Sequence, residues 1–460
     1  MIILARRFPH PEFNLQQQHA YDAIMSGKRN VFLTGNAGTG KSYVLEKALE
    51  DLDAMDYSTL RCAPTGIAAI HIGGITMHKM LNLSPKDILI NNDPQVVPYL
   101  LNYCGRIVVD EISMCRGDLF SWLVKCIDLA NEAPWRDYPI KLIVVGDFCQ
   151  LPPVVTNAEK RFFKKGEEYA FMTREWQEMD FENCVLTQTV RQDNQDFITA
   201  LNQIRMGDGQ GVHYINQFAS AVPQKQAVTI ASRNREVAAI NSKMAQKFAN
   251  RATVFTARVT GRINAKNIPA EETLALAPGE RVIFTANQRV GKGETPDYSN
   301  GSEGIIEEVY GDHLLVDIVG RGETVVEPYT WSEYEYTTKE VPVVDGDGCL
   351  TSDTTHKLVK QEIGSFTQFP LKLGYAMTIH KSQGKTLTKA NIIPAGWMSG
   401  LLYVALSRVT DISNIYLKNP LNPHMVQLDP LVKNFYQAIA NGQNFDPKQI
   451  KKPAEWIFSG

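Results

Sequence analysis

A glycine-rich segment of eight residues constrains this chain more than any other feature. Gly35-Asn-Ala-Gly-Thr-Gly-Lys41-Ser42 follows a short apolar run, Asn30 to Thr34, and precedes a stretch with helical periodicity, SYVLEKALEDL. The pattern GxxxxGK[ST] between a strand and a helix is typical of a loop whose backbone N–H groups surround phosphates. We predict that this loop binds a nucleotide through Gly35, Asn36, Ala37, Gly38, Thr39, Gly40, Lys41 and Ser42. In this interpretation Lys41 reaches the β- and γ-phosphates and the Ser42 hydroxyl ligates Mg²⁺.

Two further buried-strand candidates end in the polar groups that hydrolysis needs. RIVV runs into Asp110 and Glu111, and KLIVV is followed by Asp147 and Gln150. We predict that Asp110 binds Mg²⁺ through its water shell and that Glu111 orients or deprotonates the attacking water. Gln150 is an uncharged donor suited to sensing the γ-phosphate. Alternating strands and helices with polar strand ends predict a parallel α/β sheet with its site at that edge.

The composition excludes several classes of protein. Of the 460 residues, 44% are hydrophobic and 21% charged, which is typical of an ordered globular chain. No run approaches the roughly 18 apolar residues of a membrane helix, and the apolar start is too short for a signal peptide. The seven cysteines include no CxxC pair, which argues against a disulfide framework and a Cys-based zinc site. We therefore expect an intracellular protein, cytoplasmic or nucleoid-associated, with no membrane contact.

Charge is distributed unevenly along the chain. Residues 233–266 contain eight Lys or Arg against one acid, Glu236, whereas residues 294–347 contain fourteen acids against Arg321 and Lys339. This change of sign suggests two bodies that meet near residues 250–265. Short strand candidates between about 280 and 345 predict a small β-barrel there. Because the net charge is −3, any nucleic acid must be held by local basic patches.

Six segments, in order, carry a family resemblance from about Phe13 to Leu417: CAPTGIAAIHIGGITMH, VVDEISM, GDFCQLPPV, LTQTVRQDNQDFITALNQIRMG, MTIHKSQGKT and YVALSRV. Together they resemble the motifs of superfamily 1B helicases, specifically the Pif family of DNA helicases, with RecD-type enzymes as near relatives. The resemblance implies two RecA-like domains with ATP and Mg²⁺ between them. It also implies movement in the 5′→3′ direction along single-stranded DNA.

The same resemblance assigns further site residues. Gln17 corresponds to the family's adenine-recognising glutamine, although a capping-box role three residues after Asn14 is an alternative. Arg191 and Arg408 correspond to arginines that the second domain donates to ATP, and by themselves they would be ordinary surface arginines. Gln383 and Gly384 are also assigned to ATP. The DNA-contacting segments contain Pro64, Thr65, His78, Thr378, His380 and Lys381.

The resemblance also implies the domain boundaries. Residues 1–185 form the first RecA-like domain, in which a duplex-splitting hairpin is inserted at about 83–99. Residues 186–255 and 366–440 form the second domain, and 441–460 form a C-terminal tail. Residues 256–365 form an inserted Src-homology-like β-barrel that contains NGSEG, 300–304. Its acids would repel DNA phosphates, so we expect only an edge of the barrel to contact the strand.

The leading interpretation is an ATP-dependent DNA helicase, acting as a monomer on single-stranded DNA and duplex junctions in replication, repair or recombination. G-quadruplex DNA is a further candidate substrate. One alternative is an RNA-directed motor, because discrimination of the 2′-hydroxyl is not readable from motifs. Another is a DNA-binding module that ATP switches without unwinding. The presence of Glu111, Gln150, Arg191 and Arg408 argues against that switch, because a binder needs no hydrolytic groups.

Overall fold

The computed structural model describes residues 12–83, 93–156, 159–163, 166–225, 227–264, 267–288, 296–344, 350–394, 398–443 and 445–447. Two parallel sheets and a set of antiparallel strands make up this part of the chain. None of its helices is long and apolar enough to cross a membrane. The predicted α/β class, with two parallel-sheet domains, is confirmed.

The first domain is built on a six-stranded parallel sheet in the order β3-β2-β4-β5-β1-β6. Its strands are β1 Val31–Gly35, β2 Thr59–Ala63, β3 Ile75–Thr76, β4 Arg106–Val109, β5 Lys141–Val145 and β6 Glu182–Leu186. Its helices are α1 Leu15–Ser26, α2 Lys41–Ala54, α3 Gly66–His71, α4 Met77–Met80, α5 Gly117–Asn131 and α6 Arg174–Glu178. Every residue of β1, β2 and β4 is buried, as expected for parallel strands with helices on both faces.

The second domain begins after β6 and is interrupted by an insertion. Its elements before the insertion are α7 Gln195–Arg205, α8 Gly211–Phe218, β7 Val228–Ala231 and α9 Asn234–Ala245. The insertion, which we call the inserted β domain, contains β8 Thr253–Thr256, β9 Arg258–Gly261, β10 Thr273–Leu276, β11 Arg281–Phe284, β12 Glu303–Val309, β13 Leu314–Ile318, β14 Gly322–Val326, β15 Tyr329–Val344, β16 Leu350–Gln368 and β17 Leu371–Leu373. The chain then continues with β18 Ala376–Thr378, α10 Ile379–Ser382, β19 Ala390–Ile392, α11 Leu401–Leu406, β20 Ile415–Leu417 and α12 Pro430–Ala440. The parallel sheet of this domain has the order β18-β7-β19-β20.

The inserted β domain extends further along the chain than the sequence indicated. Its five-stranded antiparallel sheet has the order β14-β13-β12-β11-β17, and β17 lies beyond residue 365, where we expected the insertion to end. The long strands β15 and β16 form a hairpin that packs against the first domain. Tyr336 from this hairpin is buried in the core of the first domain, and its hydroxyl accepts a hydrogen bond of 3.3 Å from the Arg61 amide.

Helix α12 also departs from the predicted boundaries. We expected residues up to 440 to belong to the second domain, but α12 returns to the first domain and packs into its aromatic core. The rings of Phe435 and Phe171 stack with centroids 4.5 Å apart, and Phe148 contacts Phe435 edge-on at 5.5 Å. Although α12 follows the second domain in the chain, burying its aromatic rings stabilises it against the first domain, whose core it completes.

Two predicted segments fall mainly on parts of the chain that the structure does not describe. Residues 84–92 of the predicted duplex-splitting hairpin lie outside the described residues, as do 444 and 448–460 of the predicted tail. The described end of the hairpin segment includes Tyr99, whose hydroxyl is 2.7 Å from the Thr338 hydroxyl of β15. This end of the segment therefore lies beside the inserted β domain.

Candidate nucleotide and DNA site

The glycine-rich loop lies between β1 and α2. Gly35, Gly38 and Gly40 have φ angles of 142°, 76° and 85°, a region that side chains strongly disfavour. A Cβ atom at Gly35 would lie 2.0 Å from the carbonyl oxygen of Leu186 in β6. The glycines are therefore required both for the turn and for its close approach to the neighbouring strand.

Groups of the second domain occupy the mouth of this loop. The amide of Ala37 donates a hydrogen bond of 2.7 Å to the hydroxyl of Tyr403, and the Asn36 side chain donates one of 2.8 Å to Asn202. Lys41 turns back on the loop, and its ammonium donates to the carbonyl oxygens of Gly35 at 2.8 Å and Asn36 at 2.9 Å. The loop and its lysine are thus held by protein groups that phosphate oxygens would replace.

Asp110 and Glu111 follow β4, next to the loop. The Glu111 amide donates to Asp110 Oδ1 at 2.9 Å, and Glu111 Oε2 accepts a hydrogen bond of 3.1 Å from Gln383 of the second domain. Desolvation and the neighbouring Glu111 carboxylate raise the pKa of Asp110 to about 7. Desolvation also raises the pKa of Glu111, and the nearby Lys41 and Arg408 oppose that rise.

These groups fit a magnesium ion. Ser42 and Asp110 offer the hydroxyl and carboxylate oxygens that Mg²⁺ prefers. The pKa of Asp110 is raised first by desolvation and then by repulsion from the Glu111 carboxylate, and a divalent cation would offset both effects. The donor set therefore matches the metal that the sequence predicts.

The two predicted arginines lie together at the domain interface. Arg408 is only 2% exposed, and its guanidinium donates to the Val404 carbonyl oxygen at 2.8 Å and to the Ser407 hydroxyl at 2.9 Å. Arg191 donates to the Ser407 carbonyl oxygen at 3.0 Å. Desolvation and the neighbouring Arg191 lower the pKa of Arg408 to about 9. Its burial beside the like charge of Arg191 excludes the interpretation of Arg408 as an ordinary surface residue, and the two arginines are suited to an anionic ligand.

Gln17 makes the capping box that the sequence left open as an alternative, and it also contacts the phosphate loop. Its side chain accepts from the Asn14 amide at 3.0 Å and Asn14 Oδ1 accepts from the Gln17 amide at 2.9 Å, which completes a capping box for α1. Its side-chain amide also donates to the Thr39 carbonyl oxygen at 3.0 Å, inside the phosphate loop. Gln150 is buried after β5, and Gly384 adopts φ 77° beyond α10.

The predicted DNA-contacting residues follow strand ends in both domains. Thr65 and Thr378 each cap a short helix, since their hydroxyls accept from the amides of Ala68 and Lys381 at 3.3 Å. These hydroxyls are therefore helix caps first, a role that the sequence analysis did not assign to them. Desolvation lowers the pKa of both His78 and His380, so both rings are neutral near pH 7. Pro64 is partly exposed, whereas His380 and Lys381 are exposed.

Sequence reasoning missed a basic cluster where three bodies meet. Lys385 of the second domain donates to Asn300 Oδ1 in the NGSEG segment, and Asn300 Nδ2 is 2.7 Å from His71 Nε2 of the first domain. Desolvation and the neighbouring Lys372 lower the pKa of Lys385 to about 7. The spacing of these residues in the chain gives no signal, because their proximity depends on the placement of the insertion.

Three residues beside the phosphate loop were also missed. Arg205 of α7 forms an ion pair of 2.8 Å with Asp147, and the Tyr436 hydroxyl of α12 donates to the same carboxylate at 3.1 Å. Tyr403 contacts the loop directly. One signal was available for Arg205, since it lies next to the apolar face of α7 that Phe197 and Ile204 form. A charged residue there requires a buried partner.

Two parallel-sheet domains with a phosphate loop, a carboxylate pair and converging arginines define a P-loop NTPase of the two-domain, RecA-like type. A family model described as PIF1-like helicase matches residues 12–213. The chain is 28% identical over 450 residues to human ATP-dependent DNA helicase PIF1, covering 94% of this chain and 65% of that protein. It is 28% identical over 452 residues to ATP-dependent DNA helicase Pif1 of Campylobacter jejuni, covering 89% of this chain and 94% of that protein. The first domain thus matches the PIF1-like helicase model, and nearly the whole chain is similar to these Pif1 helicases.

Solved structures of Pif1 from Bacteroides sp. extend the likeness to the whole fold. The unliganded structure is 28% identical, with a TM-score of 0.78 over 94% of this chain and 98% of that one. The structure of Bacteroides Pif1 bound to single-stranded DNA covers the same shares at 27% identity, but its TM-score is 0.59. The complex of that protein with ADP-AlF4 has a TM-score of 0.77, so the arrangement of domains in this chain is nearer to these two structures than to the one bound to single-stranded DNA.

Proposed function

We propose that this chain is an ATP-dependent DNA helicase that moves 5′→3′ along single-stranded DNA and separates duplex DNA. The observation that carries the proposal is the convergence of two domains on one site. The first domain contributes Lys41, Asp110 and Glu111, and the second contributes Arg408 and Gln383, which reaches Glu111 at 3.1 Å. An ATP site that is complete only when two domains meet links the nucleotide to their relative position.

The residues divide the chemistry among themselves. The loop amides and Lys41 hold the β- and γ-phosphates, while Glu111 orients the attacking water and accepts its proton. Arg191 and Arg408 stabilise the charge that develops on the transferred phosphoryl group, and Gln150 and Gln17 contact the γ-phosphate and the adenine. Ser42 and Asp110 would hold Mg²⁺, which neutralises phosphate charge when bound.

The similarity to Pif1 helicases supports the proposed partner and setting. Bacteroides Pif1 has been solved with single-stranded DNA, and human and Campylobacter relatives are named ATP-dependent DNA helicases. We propose that this chain binds single-stranded DNA across Pro64, Thr65, His78, Thr378, His380 and Lys381, opens duplex junctions and works as a monomer. Such a motor acts where DNA is held, in the cytoplasm or at the nucleoid, in replication, repair or recombination.

The test is ATP hydrolysis with and without single-stranded DNA, and with single-stranded RNA of the same sequence. We expect strong stimulation by DNA and weaker stimulation by RNA. Lys41→Ala removes the charge that holds the γ-phosphate but none of the proposed DNA contacts, so it should abolish hydrolysis and preserve DNA binding. Equal turnover in Lys41→Ala and the unmodified chain would refute the assigned site.

A further inference from the structure

Asp147 is a buried carboxylate near the nucleotide site, and its charge acts on Lys41 of the phosphate loop. Asp147 is 1% exposed and accepts four hydrogen bonds. Arg205 donates two, from Nη2 at 2.8 Å and Nε at 3.2 Å, and the others come from the Cys149 amide and the Tyr436 hydroxyl, both at 3.1 Å. Despite desolvation, which acts to raise it, the Arg205 charge and hydrogen bonds hold the pKa of Asp147 below its usual range.

The hydroxyl of Tyr436 joins the ends of two strands that lead into the site. It is 2.8 Å from the Thr34 hydroxyl at the end of β1, directly before the phosphate loop. It also accepts from the Phe148 amide at 3.0 Å, after β5 and two residues before Gln150. The Arg205 guanidinium lies over the Tyr436 ring, 4.6 Å from its centroid. Tyr436 therefore contacts the end of β1 before the loop, the segment that carries Gln150, and Arg205 of the second domain.

The three residues come from three parts of the chain. Asp147 belongs to the first domain and Arg205 to α7 of the second, while Tyr436 lies on α12, which leaves the second domain and packs into the first. Directly after α7, a Cβ atom at Gly207 would lie 3.1 Å from Leu428, in the segment that leads to α12. The end of α7, which carries Arg205, therefore lies next to the segment that leads to α12, which carries Tyr436.

We infer that Asp147, Arg205 and Tyr436 form a fixed pivot between the two domains, which positions the arginines of the second domain against ATP bound to the first. These are positioning residues, because they act through Gln150, Arg191 and Arg408. The expected effect on kcat rests on the proposed ATP hydrolysis. The expected effect on the distance between the domains does not. Loosening the pivot lowers kcat, since the arginines act in the transition state, and changes KM little, because the loop of the first domain holds most of the nucleotide.

Tyr436→Phe is the informative variant, because it removes the hydroxyl and keeps the ring in the aromatic core. Tyr169→Phe is the matched control: Tyr169 is also buried in this core, and its hydroxyl donates at 3.4 Å to Asp429, the cap of α12, away from Asp147. We expect Tyr436→Phe to lower the DNA-stimulated kcat by about tenfold or more with KM for ATP nearly unchanged, as a small misplacement of catalytic groups predicts. Tyr169→Phe should lower the melting temperature similarly and keep kcat. Equal losses of kcat in the two variants would overturn the pivot.

A measurement of geometry separates failure of the pivot from failure of the proposed function. Spin labels at Lys28→Cys and Val222→Cys, both exposed, report the distance between the domains in a Cys349→Ser background. The other six cysteines are buried. We expect Tyr436→Phe to broaden the distance distribution and Tyr169→Phe to leave it unchanged, whether or not the protein hydrolyses ATP. An unbroadened distribution in Tyr436→Phe refutes the pivot, whereas a lack of DNA-stimulated hydrolysis in the unmodified chain refutes only the proposed function.

Discussion

The amide of Ala37, in the phosphate loop, donates a 2.7 Å hydrogen bond to the hydroxyl of Tyr403, which lies on α11 of the second domain. Such loop amides bind phosphate oxygens in P-loop proteins. Burial raises the pKa of Tyr403, so the hydroxyl is neutral at working pH and occupies the amide as a polar competitor of the nucleotide. In this arrangement of domains, nucleotide binding must displace the tyrosine hydroxyl.

We therefore expect Tyr403→Phe to bind a non-hydrolysable ATP analogue more tightly. Removing one competing hydrogen bond should improve affinity by roughly 2- to 10-fold, the range that the net free energy of such a bond allows. Isothermal titration calorimetry measures this directly. Tyr375→Phe is the control, since its hydroxyl accepts from the Arg281 amide at 3.3 Å, outside the nucleotide site. Unchanged or weaker affinity in Tyr403→Phe would show that the hydroxyl does not compete with phosphate.

Arg408→Ala should lower kcat for ATP by roughly 10³-fold or more and change ATP affinity modestly, because an arginine finger acts on charge that develops in the transition state. Arg174→Ala provides a surface arginine for comparison, with its side chain 83% exposed and paired with Glu178. Steady-state hydrolysis and melting temperature should be measured on the same preparations. If Arg408→Ala lost stability and kept kcat, the residue would be structural.

If a DNA phosphate binds at Lys385 and the neighbouring Lys372, the affinity for single-stranded DNA should depend on pH through Lys385. Desolvation and Lys372 lower the pKa of this amine to about 7, and a bound phosphate would raise that pKa again. Binding then takes up a proton, so affinity is highest below pH 7 and falls as pH rises above it. Fluorescence anisotropy between about pH 6 and 9 at constant ionic strength tests this. Lys385→Arg stays charged throughout and should flatten the profile; a profile that Lys385→Arg leaves unaltered would remove this residue from the DNA path.

The basic stretch 233–266 should contribute DNA contacts through α9 and the residues that directly follow it. Lys243 and Lys247 are exposed, and no residue of α9 is fully buried. Lys243→Glu with Lys247→Glu should weaken single-strand binding and reduce the salt slope by about 0.7 for each lost phosphate contact. Affinity for ATP without DNA should not change. Lys28→Glu with Lys433→Glu, both exposed, is the charge-matched control. If the variant Lys243→Glu with Lys247→Glu kept the salt slope of the unmodified chain, the DNA path would lie elsewhere.

Local patterns predicted the features that local physics determines. The strand, glycine turn and helix around Lys41 follow from apolar runs and from positive φ angles that only glycine adopts readily. The carboxylates at the end of β4 were predicted because polar residues directly follow a buried strand there. These features need only a few neighbouring residues, and the sequence therefore contains the signal for them.

The rest depends on where distant segments come together. Tyr436 lies 289 residues beyond Asp147, and its role depends on α12 crossing back to the first domain. From the sequence, a tyrosine among apolar helical residues is predicted to be a core residue, and Tyr436 is one. Likewise, the two threonines predicted to contact DNA cap helices, which spacing alone did not reveal. The boundary of the inserted β domain was missed because β17 is only three residues long.

The central claim is that this chain converts ATP hydrolysis into directed movement on DNA, and strand displacement from tailed duplexes tests it most directly. Duplexes with a 5′ or a 3′ single-stranded tail should be compared with ATP present, with Lys41→Ala as the inactive control. The account predicts that the unmodified chain unwinds the 5′-tailed duplex and leaves the 3′-tailed duplex intact. Unwinding only from the 3′ tail would contradict the direction of movement, and hydrolysis without unwinding of either duplex would contradict the proposal of a helicase.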